Sequence, residues 1–306
     1  MVSDSLPNMW VVIPTYNRAA DLIDCLGSLR KAGVDESRII VVDNASQDDT
    51  VPLVQKTFPA VHLLAQETNL GASRASNVGF SYALDHHASH VLRLDSDTVV
   101  QPDFLEPLLA TSLGDSRIGV VAPKIYYYDP PDEIWYAGAD AHPFHFGATN
   151  TQRHQKDGPA NLSTREVDYA WGAAMLITAD ALKITHGFDP DFFIYYEEID
   201  FCLRVKKAGM QIIFIPNSII WHKVGSSVHN AWTATHWNRS KMLLFRKHAS
   251  NNCHFAGLVI YAFGYALATH LKKRNTSGNR GPLPAALKGL WQGLTKKIDP
   301  SQKTPQ

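Results

Sequence analysis

Short runs of Val, Ile and Leu recur along the first third of the chain, each closed by polar residues. Residues 9–14, 38–43, 61–65 and 90–94 are such runs and predict strands. Between them, 19–32, 48–58 and 72–86 predict helices, the first ending at Gly33. Strands nearly continuous in apolar residues, alternating with helices, predict an α/β fold with a mostly parallel sheet covered on both faces. Each strand runs into a polar end: Thr15-Tyr16-Asn17, Asp43-Asn44-Ala45-Ser46, Glu67-Thr68-Asn69 and Asp95-Ser96-Asp97. Side by side, these ends form one polar crevice at the edge where open α/β sheets bind ligands.

The pattern then changes. Residues 126–165 are rich in Pro, Gly, Tyr, His and Asp with little periodicity, which predicts a long excursion walling one side of the crevice. Regular patterning resumes at 167–178, continues through a helix over about 198–208 with Gly209 as its cap, and ends in a strand over 211–216. Residues 255–271 are almost uncharged and precede Lys272-Lys273-Arg274. Two glycines and His270 make this a poor membrane span. A second stretch, 283–298, puts Leu287, Leu290, Trp291, Leu294 and Ile298 on one face. These two segments predict either interfacial helices on the cytoplasmic face of a membrane, or helices packed on the catalytic part or on a second subunit of a homo-oligomer. Periodicity does not separate those readings. The expected division is 1–247 for the catalytic domain and 248–306 for the C-terminal helical region.

Composition adds constraints. Lys+Arg and Asp+Glu balance at 29 each in 306 residues, so there is no global field to attract nucleic acid. Cys25, Cys202 and Cys253 have neither disulfide nor metal spacing, which fits a reducing compartment. The N-terminus lacks a basic-then-apolar leader, so a cytoplasmic location is expected.

The candidate chemistry starts at Asp95-Ser96-Asp97. Aspartate is a poor strand residue, and hard oxygen ligands at a strand end suit Mg²⁺ or Mn²⁺ held with substrate phosphates. A turn with solvated aspartates would give the same pattern. The loop Pro14-Thr15-Tyr16-Asn17 offers backbone N–H groups and a helix start to a ligand, although Asn17 is also an ordinary cap. Asp43 can accept from a base or ribose. In Asn69-Leu70-Gly71-Ala72-Ser73-Arg74, small residues allow close approach and Arg74 can pair with phosphate, or simply sit on the surface. Glu197, Glu198 and Asp200 crowd a helix start after an aromatic run that includes Tyr195. Acids favour helix N-termini, but a desolvated one becomes a usable base. Asp200 and Arg204 form an ordinary (i, i+4) pair. Trp221-His222-Lys223-Val224-Gly225-Ser226-Ser227 presents a histidine after a strand, more often structural than a ligand.

In order and spacing these segments resemble the family-2 inverting glycosyltransferases with the GT-A fold, and within them the bacterial rhamnosyltransferase-like branch. The matching pieces are 12–17, 41–46, 69–71, 94–97, 171–176, 187–189 and 195–204. The resemblance implies transfer of a sugar from a nucleotide-diphosphate sugar to a glycan or lipid-linked acceptor. By the same resemblance, Pro14, Thr15, Asn17 and Asp43 line the nucleotide. Asn69, Gly71 and Arg74 lie along the ribose and diphosphate. Asp95, with Ser96 beside it, holds the ribose or a metal water. Asp97 and His222 bind the cation. Glu198 is the base, with Glu197 its rival, because the family usually has aspartate there. Trp171, Gly172 and Tyr195 fall on the acceptor side. A nucleotidyltransferase or a non-catalytic nucleotide-sugar-binding protein is the alternative; the former calls for a Gly-rich basic loop that Pro14-Thr15-Tyr16-Asn17 is not.

Overall fold

The chain enters the core through β1 (Met9–Thr15), buried from Trp10 onward. In the computed structural model, residues 8–149, 151–158, 161–224, 230–277 and 283–297 are described. Helix α1 (Ala19–Lys31) leads to β2 (Ile39–Asp43), α2 (Thr50–Thr57) to β3 (His62–Ala65), and α3 (Gly71–Asp85) to β4 (His90–Leu94). These four strands are parallel in the order β3-β2-β1-β4, so the order reverses across β1. All match the expected elements closely.

Beyond β4 the sheet becomes mixed. Strand β5 (Thr98–Val100), α4 (Leu105–Gly114) and β6 (Ile118–Tyr127) precede the excursion, which contains β7 (Ile134–Tyr136), β8 (Asp140–Ala141), β9 (Ala148–Thr149) and β10 (Arg165–Glu166). Strand β11 (Ala174–Thr178) lies between β4 and β6, antiparallel to both. After α5 (Ala179–Thr185) and α6 (Glu197–Lys207), β12 (Gln211–His222) pairs parallel with β6 and antiparallel with β5 and β10. Gly209, at φ +80, follows α6 as its cap.

The expected strand at 211–216 stops short of the real one. Pro216 cannot donate to a ladder, and the pairing shifts register between Ile215 and Ile219, a bulge that accommodates it. The strand then runs six residues further and delivers His222 to the crevice.

Three helices close the chain: α7 (Ala231–His248), α8 (Asn252–Ser277) and α9 (Leu283–Thr295). Leu243 and Leu244 of α7 join the main core, whereas its Met242 and Phe245 join a second cluster with Leu258, Ala262, Ala266, Ala286 and Leu290. Helix α9 lies backbone-close on α7: a Cβ on Gly289 would come 2.1 Å from the Thr235 carbonyl oxygen. The amphipathic face expected of α9 is therefore divided. Leu290 is buried, Leu287 and Trp291 remain exposed, and Ile298 lies outside the described residues. Helix α8 turns Leu258, Ala262 and Ala266 inward and leaves Ile260, Leu267 and Leu271 exposed. Its segment Asn252–Leu271 is long and apolar enough to cross a membrane by length and composition, with mean hydropathy 1.2.

Candidate active site

The turn between β4 and β5 holds Asp95, Ser96 and Asp97. The Thr98 hydroxyl donates to the Asp95 carbonyl at 2.8 Å, and the Asp95 N–H donates to Ala173 of the neighbouring segment at 2.9 Å. Because β5 pairs with β12 with Thr98 opposite His222, a residue 125 positions away arrives beside Asp97. The His222 Nε2 lies 2.9 Å from Asp97 Oδ1 and 3.9 Å from Asp95 Oδ2. One ligand atom from each of the three residues lies within 4.8 Å of the others. Two carboxylates and an imidazole in so small a space fit Mg²⁺ or Mn²⁺. Burial acts to raise the Asp97 carboxyl, but the hydrogen bond and charge of His222, with the charge of Arg18, outweigh it and hold the group below its ordinary value. His222 is buried, and the Trp135 ring meets it edge-on at 4.5 Å. Ser96 is buried in the turn; Gly225, Ser226 and Ser227, beyond His222, lie outside the described residues.

Arg93 was not anticipated. It is 3% exposed on β4, its Nη1 lies 2.5 Å from Asp95 Oδ1, and it also donates to the Gly172 carbonyl. The signal was available: a cation inside an apolar strand needs an anion or carbonyl to face. A Cβ at Gly172 would sit 3.6 Å from both Arg93 Nη1 and Glu198 Cβ, so Gly172 lets strand, arginine and helix start converge.

Glu197 and Glu198 open α6 after Tyr195 and Tyr196, both held at φ +68. Consecutive left-handed tyrosines are strained, as functional segments often are. Glu197 is buried, and each glutamate has an Oε2 that is buried without a hydrogen-bond partner. Burial raises both carboxyls. The charge of Glu198 raises Glu197 further, while Arg93 pulls both the other way. Two adjacent acids with raised values can hold and release a proton near neutrality. Asp200 differs: fully buried, it bonds Arg204 at 2.8 Å and His248 at 2.8 Å, with Lys247 at 3.0 Å, and these cations overcome burial to hold it ionised. Tyr195 packs on Trp237 of α7 with centroids 5.1 Å apart.

On the parallel side, Thr15 and Asp43 are paired in register at the ends of β1 and β2, with Pro14 one position earlier. Asp43 is 2% exposed; its Oδ2 accepts from the Ser46 N–H at 3.0 Å, and its Oδ1 has no partner. The Thr15 hydroxyl is likewise buried and unpartnered. Asn17, at φ +51, accepts from the Gln47 N–H at 2.7 Å, and Asn69 accepts from the Gly71 N–H at 2.9 Å. Gly71, at φ +81, is pressed on Phe193, whose carbonyl oxygen would lie 2.3 Å from an added Cβ. Arg74 stands on the exposed face of α3, where its Nε donates to the Pro190 carbonyl at 3.2 Å. The fold thus gathers Asp95, Asp97, His222, Glu198 and Gly172 in one group and Thr15 with Asp43 in a second, while Arg74 is engaged elsewhere.

Comparison with known proteins then decides the class. The sequence pattern of glycosyl transferase family 2 matches residues 10–182, more than half the chain. The chain belongs to this family. Among curated relatives, an N-acetylglucosaminyl-diphospho-decaprenol L-rhamnosyltransferase of Mycobacterium tuberculosis is 24% identical, over 81% of this chain and 86% of its own. A dTDP-rhamnosyl transferase of Shigella flexneri is 22% identical, over 78% and 80%. Of solved structures, GalNAc-T7 with UDP, GalNAc and Mn²⁺ superposes with a TM-score of 0.67 at 14% identity, over 94% of this chain and 57% of that one. The Pyrobaculum calidifontis mannosyltransferase PcManGT, in complex with GDP-Man and Mn²⁺, gives 0.59 at 17% identity, over 94% and 88%. The fold is GT-A, and this family-2 enzyme is a glycosyltransferase of rhamnosyltransferase-like kinship.

Proposed function

We propose that the enzyme transfers a sugar, with inversion, from a nucleotide-diphosphate donor to a hydroxyl of a glycan or lipid-linked acceptor in cell-surface glycan synthesis. The observation that carries this reading is the meeting of Asp95, Asp97 and His222 with Glu198 and Gly172 at the carboxyl ends of the central strands. Thr15 and Asp43 receive the nucleoside through the unpartnered oxygens they keep at the switch point. Asp97 and His222 hold a divalent cation, with Asp95 kept in place by Arg93. That cation, when bound, supplies positive charge to a departing diphosphate. Arg74 reaches the diphosphate by leaving the Pro190 carbonyl, an exchange its exposed side chain permits. Glu198 takes the proton of the acceptor hydroxyl, which attacks opposite the leaving group. One base suffices, because the diphosphate leaves readily and no covalent sugar intermediate is needed. Trp171, Gly172 and Tyr195 border the acceptor.

Two relatives named for rhamnosyl transfer support testing dTDP-rhamnose first among donors, and one relative's diphospho-decaprenol acceptor supports a lipid-linked acceptor. The exposed apolar side of α8 supports peripheral contact with the inner face of the cell membrane, where such an acceptor lies. The test is incubation of the full chain with a panel of nucleotide-sugars, Mg²⁺ or Mn²⁺ and lipid-linked acceptors. Metal-dependent release of nucleoside diphosphate with an inverted anomeric centre is expected. Release of pyrophosphate, or retention at the anomeric centre, would overturn the reading.

A further inference from the structure

The excursion between β6 and β11 carries a cation that the mechanism above does not use. Arg153 is exposed, and its guanidinium lies over the Trp135 ring at 4.9 Å and the Trp171 ring at 5.7 Å. The two indoles meet edge to face, 5.5 Å apart. Three acids of the same excursion pair with other residues: Asp132 with Lys156 at 2.9 Å, Asp157 with Lys124 at 2.7 Å, and Glu133 with His154 at 3.9 Å. Among the described residues, Arg153 has no carboxylate within ion-pair distance.

Its surroundings fix what it faces. Trp135 touches His222 of the cation-holding group, and Trp171 precedes Gly172, which abuts the base Glu198. Arg153 therefore stands over a tryptophan pair that reaches His222 through Trp135 and the Gly172–Glu198 contact through Trp171, on the side to which the acceptor is assigned. The indole planes are 79° apart, so the guanidinium can lie flat on one ring at most, and a cation seated over aromatic faces keeps N–H donors for a ligand. Those donors match two phosphate oxygens in a bidentate pair. Trp135, one of the two rings under Arg153, also carries a buried Nε1 without a hydrogen-bond partner.

We infer that Arg153, seated over the Trp135–Trp171 pair, forms an anion subsite that grips the phosphate next to the acceptor sugar, so that the acceptor is a glycosyl diphosphate rather than a neutral glycan. The inference rests on the glycosyl-transfer reading for which substrate enters, but not for the anion binding itself. The donor diphosphate offers the same chemistry, and the experiment separates the two.

Geranyl diphosphate and geraniol are titrated calorimetrically into the full-length protein already saturated with dTDP and Mn²⁺. The wild type, Arg153→Ala and Arg153→Lys are compared. Geranyl diphosphate is expected to bind Arg153→Ala at least tenfold more weakly than wild type, with geraniol and dTDP affinities unchanged. Arg153→Lys is expected to recover only part of the loss, since lysine keeps the charge without the planar fork. Equal binding of geranyl diphosphate to wild type and Arg153→Ala overturns the subsite. A fall in dTDP affinity with geranyl diphosphate unaffected also overturns it, by assigning the arginine to the donor. If the anion effect holds while no nucleotide-sugar is turned over, the subsite stands and the transfer reading fails.

Discussion

In the parallel part of the sheet, the polar residues at the strand ends mostly bond their own loops, and only the Thr15 hydroxyl and Asp43 Oδ1 among them stay buried and unpartnered. Asn17, Asp43 and Asn69 each accept from a nearby backbone N–H, and Asn44 Oδ1 accepts from Leu70 N–H at 3.2 Å. In the mixed part, charge is concentrated and incompletely matched. Glu197 and Glu198 lie together with unpartnered oxygens, Arg93 keeps an unpartnered Nε, and His222 keeps an unpartnered Nδ1. Satisfied polar turns shape a cradle at little cost. Buried, poorly paired charge is unfavourable for folding, and it is to these groups that the proposed chemistry is assigned.

The contrast breaks most sharply at Asp97. Asp97→Asn keeps the shape and removes a charged ligand, so kcat/KM should fall about a thousandfold, as expected for loss of several kcal/mol of metal-assisted stabilisation. Circular dichroism and the melting temperature should barely move. Substitution of Asn17 by Ser, on the satisfied side, should cost activity far less. If Asp97→Asn remains within a few-fold of wild type at limiting metal, the division between cradle and reactive group is wrong.

Glu198→Gln comes next. It should retain dTDP binding and lose about a hundred- to thousandfold in transfer rate, the usual worth of a positioned base. Glu197→Gln should cost less. If Glu197→Gln proves the dead variant, the base is the deeper acid.

The same pair makes a stability prediction. Both carboxyls are raised above the ordinary value of 4.5, so across the window from there into the neutral range the folded protein binds more protons than the unfolded chain. The stability they contribute is present at low pH and declines as pH rises through that window. The Glu197→Gln/Glu198→Gln double variant should therefore lose stability less steeply between pH 5 and 8. Asp97 and Asp200, held below their ordinary values, act at more acidic pH and leave that slope unchanged. Parallel melting curves for the two proteins would show that the acids are not desolvated as a pair.

The two parts of the sheet also differ in how much the sequence reveals. Strands β1 to β4 are local apolar runs that each carry their own signal, and their polar ends are visible at once. Strands β5, β6 and β11 are defined by partners far away in the chain, and no periodicity announces an antiparallel strand placed between two parallel ones. Pro216 masks the continuation of β12, so His222 is placed by family likeness and not by pattern. Arg93 was legible as an oddity, an arginine in an apolar strand, but its partner Asp95 lies only two residues on and the Gly172 carbonyl only the fold supplies.

Outside the sheet, α9 and α8 sharpen the comparison between satisfied and exposed surfaces. Gly289 and Gly293 bring α9 onto the α7 backbone, and Lys296 bonds Asp191 at 2.5 Å. Gly289→Val should cost about 1–3 kcal/mol by overpacking that contact, read as a lower melting temperature with the metal titration unchanged. An unshifted melting curve would mean that α9 is not docked as described.

Among the described residues, helix α8 has no such cover on its outer side, where Ile260 is 74% exposed and Leu267 50% exposed. Lys272, Lys273 and Arg274 follow in sequence, which suits a helix laid on an anionic surface. Ile260→Glu with Leu267→Glu should weaken vesicle binding by roughly 1.5 kcal/mol in all, about tenfold, if each side chain inserts only partway. The measurement is co-sedimentation of full-length protein with anionic liposomes at low salt, alongside turnover of a water-soluble acceptor as a control for folding. Binding should fall while soluble turnover stays level. If wild type and the double variant both remain in the supernatant, the exposed stripe serves another copy of the chain. Sedimentation velocity would then show a dimer that the two glutamates dissociate.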